Sequence, residues 1–448
     1  MVDIVEMPHD DVLTGLRVAT DGEAMRELLA PYFGGGMQLV QVKLGRFTYK
    51  PGRNARFAYR LKLLDRDREV ATRHVVHGRM EPLADAAQLH KKMSRRTWAT
   101  PAYGPPLLYF GELGLVLWGF PNDPKLPGVE MIAGPGGLLA LVPRIPALAR
   151  LAPVRCESGL VKYVPGKRLV MRHKLTAADG RRHLVYSKTY AHDNGGAILG
   201  VMRHLWEHGK TDPMALTCPQ PLAYLDDART MVLGALPGTA AVAELQGEGA
   251  RAAMEQTGRG LASVHASGVR GLEPWGEAHE FENLLKATET LQRYDAELAP
   301  AIARIRALAQ AGLATPDSTS PVPIHGAFRF TQLLTYRGRL ALIDFDGFRS
   351  GHAACDAGSF IAHLYYLHAK DELSLEAAQA AAAAFAAAYR SVRPEGLPEP
   401  ALRWYAAAIL VSKHAQKCVK RLKDDGDVKI AHMLERAERW LSGAESPV

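Results

Sequence analysis

The sequence predicts an α+β fold, with two related five-stranded units ahead of a mostly helical carboxy-terminal half. Three observations predict it. A β-rich segment that turns at Pro-Gly occurs twice, at a spacing too long for a solenoid. Each occurrence leads into a helical stretch and two further short strands. After about residue 240, apolar residues recur at helical spacing, interrupted by one short hairpin.

The repeat is read directly from the residues. "YKPGRNARFAYRL" begins at Tyr49 and "YVPGKRLVMRHKL" at Tyr163, with Tyr, Pro and Gly coincident and a basic residue after each glycine. "EVATRHVV" at Glu69 lies over "LVYSKTYA" at Leu184, which sets Arg73 over Lys188. "PLLYFGELGLVLWG" from Pro106 lies over "PLAYLDDARTMVLG" from Pro221, so that the offset stays at 114 to 115 residues. Each unit then reads as three strands, a helix ("DAAQLHKKMSRR" or "GGAILGVMRHLWEHG") and two strands. Beyond them, "GARAAMEQTGRGLASVHASGV", the "FENLLKATETLQRYDAELAPAIARIRALAQAG" stretch and four later segments read as helices. The expected domains are 1–152, a non-catalytic repeat; 153–236, the second unit; and 237–448, the helical part with its hairpin.

The 448 residues are 47% apolar and 23% charged, which is globular and sufficient for large cores. A formal charge of +8 favours anionic partners such as nucleotides, without choosing among them. Four scattered cysteines form no CxxC pair and no zinc pattern, so they read as buried thiols in a reducing cytoplasm. The amino terminus carries acids where a signal peptide needs basic residues, and the most apolar stretch is broken by prolines and Arg144. A cytoplasmic protein without a membrane span is therefore expected. No helix-turn-helix, zinc finger or RNA-binding aromatic motif supports nucleic-acid binding.

"QLLTYRGRLALID" reads as two strands joined at Arg337-Gly338, with glycine suited to a tight turn. Tyr336 then faces Arg339, Gln332 faces Ile343, and Thr331 faces Asp344. The side-chain oxygens of Gln332 and Asp344 end near one open end of the hairpin. Magnesium takes a few hard oxygens and completes its shell with phosphate and water, so the spacing suits a nucleotide-bound metal. Taken alone, an acid at the end of an apolar strand is more often a turn residue.

Residues 154–448 resemble the aminoglycoside phosphotransferase and choline kinase-like family, a branch of the protein kinase-like fold. "HGAFRFTQLL" and "LALIDFDG" stand where that family has His-Gly-Asp, four residues, Asn, and a hairpin ending Ile-Asp-Phe. "GHAACDAG" keeps the last acid of a further family motif as Asp356, with His352 and Ala353 in place of Asp-Pro. "LASVHASG" matches a family helix in which His265 reads as structural. The resemblance implies a two-lobed fold, a five-stranded lobe followed by a helical lobe, with a second copy of the first lobe ahead of it. It implies ATP or another nucleoside triphosphate with Mg2+, and a small hydroxylated acceptor. It makes Asp344 the main metal ligand and Gln332 the second. It makes Lys188 the lysine that meets the phosphates, and places Gly166, Lys167 and Arg168 in the turn whose backbone amides approach them.

Departures gather at the chemistry. Ala327 replaces the acid that orients or deprotonates the acceptor, a loss that typically costs about 10² to 10⁴ in rate. The helix after Lys188 offers only Glu207, near its end. Asp346 and His325 are the candidate substitute bases, although Asp346 also suits a metal and His325 also suits bracing the loop. Three readings follow: a nucleotide- and magnesium-binding member of the family with weak or lost transfer; an active kinase with a substitute base; and a scaffold that uses no nucleotide. Residues 1–152 then serve as a scaffold or as a docking surface for a partner, and their basic residues Lys43, Arg46, Lys50, Arg53, Arg56 and Arg60 form one solvated strand face or attract an anion. Lys413, Lys417, Lys420, Arg421 and Lys423 form a solvated face or line a groove for an acidic substrate.

Overall fold

A computed structural model describes residues 10–134, 136–236, 238–241, 249–313, 319–336, 338–421 and 425–448. Contacts divide the chain into two units. The first comprises 1–195, 223–232 and 419–426; the second comprises 196–222, 233–418 and 427–448. Among the described residues no helix is long and apolar enough to cross a membrane, and the four cysteines are free.

The first unit opens with α1 (Leu16–Thr20) and α2 (Gly22–Leu29). Strands β1 (Met37–Lys50), β2 (Asn54–Asp65) and β3 (Val70–Met80), helix α3 (Leu83–Met93), and strands β4 (Leu107–Phe110) and β5 (Leu115–Gly119) follow. The sheet order is β1-β2-β3-β5-β4. Alternation sets the faces: Phe47, Tyr49, Phe57 and Tyr59 are buried on one side, with Arg46, Lys50 and Arg56 on the other. Phe47 and Phe57 pack at 5.3 Å between ring centroids, Phe57 and Tyr59 at 5.7 Å, and Tyr59 Oη donates to Ala19 O at 2.6 Å.

The same plan returns after α4 (Val129–Ala133), α5 (Gly137–Leu141) and α6 (Pro146–Ala149). Strands β6 (Pro153–Val164), β7 (Arg168–Ala177) and β8 (Arg182–Tyr190), helix α7 (Gly195–Thr211), and strands β9 (Pro221–Leu225) and β10 (Thr230–Gly234) give the order β6-β7-β8-β10-β9. The correspondence reaches individual atoms. Asp10 Oδ2 accepts from Tyr49 Oη at 2.6 Å and Gly52 N at 2.9 Å, while Asp10 Oδ1 accepts from Val12 N at 3.0 Å. Asp123 Oδ2 accepts from Tyr163 Oη at 2.5 Å and Gly166 N at 2.7 Å, while Asp123 Oδ1 accepts from Lys125 N at 2.9 Å. In both cases one carboxylate ties a Tyr-x-Pro-Gly turn to the segment that enters the first two helices.

The register corrects one equivalence. Opposite the fifth residue after each turn proline, Arg56 or Val170, stand Arg79 and Lys188. The neighbouring ladder agrees: Glu81 N donates to Gly114 O at 3.0 Å and Tyr190 N to Arg229 O at 2.9 Å, each two residues past the cation. Arg79, and not Arg73, is therefore the counterpart of Lys188; Arg73 pairs with Lys62 further along. The β2–β3 hairpin is longer than the β7–β8 hairpin, and a gapless alignment slides through that difference.

The second unit contains α7 and then β11 (Thr239–Ala240), α8 (Ala250–Ala266), β12 (Pro274–Trp275), α9 (Glu277–Tyr294), α10 (Ala299–Leu313) and β13 (Val322–Ile324). The hairpin of β14 (Leu333–Tyr336) and β15 (Arg339–Leu342) comes next, then β16 (Arg349–Gly351). Helices α11 (Ala353–His368), α12 (Leu375–Val392) and α13 (Glu399–Ile409) follow, and a π-helical turn at Leu410–Ala415 leads into α14 (Gln416–Arg421), whose last residues join the first unit; α15 (Gly426–Leu441) ends the chain. Phe328, Phe330, Phe360 and Phe385 are fully buried together, with Phe360 and Phe385 stacked at 4.3 Å. Phe328 and Phe330 thereby anchor the segment immediately after Ala327.

Candidate functional site

The hairpin has the expected register: Tyr336 pairs with Arg339 and Leu333 with Leu342, and Ile343 N donates to Gln332 O at 3.0 Å. Arg337, the other expected turn residue, lies outside the described residues. The strand ends at Asp344, which adopts φ 73° and ψ 59°. A left-handed conformation is uncommon for a residue with a side chain, aspartate and asparagine tolerate it better than most, and such positions concentrate at functional sites. A single 3₁₀ turn, Phe345–Gly347, carries Asp346.

Two backbone segments meet closely beside it. Gly326 has φ +73°, and a Cβ there would fall 2.3 Å from Gly347 O; one on Gly347 would fall 2.7 Å from His325 O. No larger residue fits at either position without moving the backbone, so the loop carrying Ala327 rests directly on the turn carrying Asp344 and Asp346. Asp356, at the start of α11, completes the brace. Its Oδ2 accepts from His325 N at 2.5 Å and its Oδ1 from Gly326 N at 2.8 Å, while His265 Nε2 lies 3.3 Å away. His265 Nδ1 in turn meets Tyr389 Oη at 2.8 Å. Burial alone would raise the Asp356 carboxyl, but hydrogen bonds from His265 and the loop outweigh it and hold it below the usual range.

His325 is 0% exposed, among Phe328, Phe345 and Phe348, and its Nε2 donates to Ile343 O at 3.2 Å. Burial lowers its pKa, so the ring is neutral. This is the geometry of a loop brace, because a fully enclosed imidazole presents no nitrogen to an acceptor. Asp346 is partly exposed.

Gln332 is 5% exposed, and its Oε1 has no hydrogen-bond partner among the described residues. A buried amide oxygen without a donor costs free energy unless something else uses it. One amide oxygen plus the Asp344 carboxylate is a fitting donor set for a hard cation whose other ligands are phosphate and water. Among the described residues no group of three or more His, Cys, Asp or Glu side chains is placed to hold a metal unaided.

The remaining expected residues lie in the first unit. Lys188 is half-buried on β8, with Nζ 5.6 Å from the centroid of Tyr190. The turn after Pro165 differs from expectation. Gly166 N is taken by Asp123, and Lys167 N donates to Val164 O at 3.0 Å. Two backbone amides expected to approach phosphate are already engaged, so anion contacts from this turn fall to the Lys167 and Arg168 side chains. Glu207, on α7, pairs with Lys210 at 2.7 Å.

Sequence reasoning missed two features. Asp10 and Asp123 stand at nearly the repeat spacing, so extending the alignment upstream of Tyr49 would have found them. Lys413, on the π-helical turn, places Nζ 3.4 Å from Gly326 O and 3.4 Å from Glu280 Oε1, and Trp275 Nε1 donates to that same oxygen at 3.0 Å. Nothing in the spacing of positions 280, 326 and 413 announces this.

Comparison with known proteins yields no match among curated proteins. Among solved structures, the chain is similar to choline kinase from Cryptosporidium parvum Iowa II, with 12% identity, 68% of this chain and 96% of that one covered, and a TM-score of 0.48. It is similar to a putative aminoglycoside phosphotransferase from Ralstonia eutropha JMP134, with 15% identity, 66% and 97% covered, and a TM-score of 0.48. It is also similar to a thermostable mutant of aminoglycoside phosphotransferase APH(4)-Ia, solved with ADP and hygromycin B, with 14% identity, 64% and 95% covered, and a TM-score of 0.44. A sequence model described as "Phosphotransferase enzyme family" matches residues 161–395, a little over half of the chain. With a family model matched over more than half of its length, and a five-stranded sheet ahead of a mostly helical part, the chain belongs to the phosphotransferase enzyme family and has its protein kinase-like fold.

Proposed function

We propose that the protein binds a nucleoside triphosphate with Mg2+ and transfers its phosphoryl group weakly or not at all. The observation that carries this reading is the buried, unpartnered Gln332 Oε1 one position across the hairpin from Asp344. Gln332 and Asp344 would hold the metal, Lys188 would meet the phosphates, and the metal would neutralise phosphate charge. The chain's own residues do the rest. Asp356 and His325 fix the loop, and Lys413 supplies a cation beside Gly326 O. Ala327 offers no carboxylate to orient an acceptor. Positioning and charge neutralisation supply most of phosphoryl-transfer catalysis, so the intact brace leaves room for slow turnover.

Thermal shift with ATP and Mg2+ tests binding. Wild type is expected to gain several degrees and Asp344→Ala to gain little; no response in either would remove the reading's main support. Ala327→Asp tests the rest of the site. Turnover of an acceptor drawn from aminoglycosides, choline, sugars and nucleosides should rise by about 10² or more if only the base is missing.

The second reading, an active kinase, is favoured by one observation: Asp346, partly exposed on the turn that contacts the Ala327 loop. Asp346→Asn should then abolish turnover while leaving the nucleotide thermal shift unchanged.

A further inference from the structure

The first unit carries a concentration of cations, of which the metal–nucleotide reading uses only Lys167 and Arg168. Arg46 and Lys50 on β1 and Arg56 on β2 share the face of the first sheet opposite its aromatic core. The pairing of Arg46 with Ala58, and of Ala58 with His77, carries that face across to β3. There the His77 ring meets Tyr163, at the end of β6, at 4.3 Å between centroids. Tyr163 and Gly166 are tied to the same Asp123 oxygen, so the turn bearing Lys167 lies against this face. Arg421 comes from the 419–426 segment of the same unit.

The charges are close enough to disturb one another. Desolvation first, then Arg421 and Arg168, push the Arg46 guanidinium down to about 10. Desolvation, then Arg56, Arg46, Lys50 and Arg168, lower Lys167. Desolvation, then Lys50 and Lys167, push Lys420 down to about 8. The acids in reach are committed elsewhere: Glu81 pairs with Arg79, and Asp123 holds the turn. Among the described residues Arg46, Lys50, Arg56, Lys167 and Arg421 enter no ion pair. Glu81 and Asp123 offset Arg56 only in part; gathering partly buried and exposed cations with positive charge in excess destabilises a fold, and an arrangement with that cost points to an anionic ligand.

We propose that this face of the first sheet and the turn after Pro165 bind an oligophosphate anion, through Arg46, Arg56, Lys167 and Arg421. Guanidinium groups suit several phosphate oxygens at once, because their planar donors pair bidentately. The compact grouping, from one sheet face, one turn and one short segment, fits a small multiply charged molecule rather than an extended strand of nucleic acid. The site lies wholly in the first unit and needs neither Asp344 nor a metal, so it goes beyond the function proposed above.

Calorimetric titration of the full chain with inorganic tripolyphosphate, in EDTA, is the test. Wild type is expected to bind, with affinity falling as KCl rises. Arg46→Gln/Arg56→Gln should bind at least tenfold more weakly, as should Lys167→Gln, whose exposed position makes it safe for folding. Arg251→Gln, at an exposed position of α8, should match wild type. Circular dichroism checks the fold of each variant, and the double variant should melt no lower than wild type because repulsion is relieved. Asp344→Ala should bind tripolyphosphate as wild type does; abolition there would show that the anion sits at the hairpin and would overturn the proposal. Equal binding by wild type and the cation variants, or binding of an RNA oligomer without binding of tripolyphosphate, would overturn it too. Failure of the Mg2+–ATP thermal shift alone would leave this site standing.

Discussion

The two five-stranded sheets share strand order, an inserted helix and an Asp–Tyr–Gly clamp, yet they differ at the atoms that bear on chemistry. At matched positions the first has Arg79, in an ion pair with Glu81, and the second has Lys188 beside Tyr190. The first buries His77 between Trp118 and Tyr163, while the second buries His173 between Ser158 Oγ and Ser187 Oγ, both at 2.8 Å. The second is followed in the chain by the braced loop and hairpin; the first is followed by the second. The difference teaches that the clamp is architecture, common to both, and that the proposed nucleotide site depends on the loop and hairpin that follow only the second.

The largest expected effect concerns that addition. Asp356→Ala leaves two loop amides and His265 buried without their acceptor. Each buried donor left without its acceptor costs about 1 to 3 kcal/mol. Chemical denaturation should show that loss, and the Mg2+–ATP thermal shift should vanish. A stable variant with an intact shift would mean that the brace does not set the loop.

Acid comes next. Burial pushes His77 down to about 3 and His173 to about 4, so both are neutral in the folded sheets near pH 5. In the unfolded chain they protonate near pH 6.5, so the unfolded state binds more protons below that pH. The stabilisation is complete above about 6.5 and is lost as pH falls towards 4. Each pKa unit is worth about 1.4 kcal/mol, so the two together should cost several kcal/mol by pH 4. Melting temperature against pH checks this. His77→Gln and His173→Gln should each flatten the curve, and an unchanged curve would show that neither histidine sets the acid limit.

The clamps should respond alike in stability and differently in binding. Asp10→Ala and Asp123→Ala each strand a tyrosine hydroxyl and a glycine N–H, for about 1 to 3 kcal/mol apiece. Only Asp123→Ala frees the turn beside Lys167, so only it should change tripolyphosphate affinity. The smallest effect is expected at the matched cations: Lys188→Met should weaken Mg2+–ATP binding about tenfold, and Arg79→Met should leave it unchanged. Equal losses would mean that both sheets serve one ligand.

Much of this was legible in the sequence for a physical reason. Strand alternation and Pro-Gly turns are local, so the two strand–helix–strand units and the hairpin register could be counted residue by residue. Gln332 opposite Ile343 followed from a turn at Gly338. Asp356 could be placed by its motif, but its bonds to His325 N and Gly326 N depend on how α11 packs. A gapless alignment sets Arg73, rather than Arg79, over Lys188 because hairpin length changes register without leaving an alternation signal. Lys413 and Glu280 were invisible as neighbours of Gly326, since the contact joins a π-helical turn, helix α9 and a loop far apart in the chain. The engagement of Gly166 N by Asp123 could not be foreseen from the turn alone, because the acceptor lies 43 residues upstream.

The most direct measurement replaces Mg2+ with Mn2+ and follows protein-bound Mn2+–ATP by electron paramagnetic resonance. Wild type should capture the ion together with the nucleotide, and Gln332→Ala and Asp344→Ala should each release most of it while remaining folded. Equal capture by all three proteins would contradict the assignment of these two oxygens to the metal.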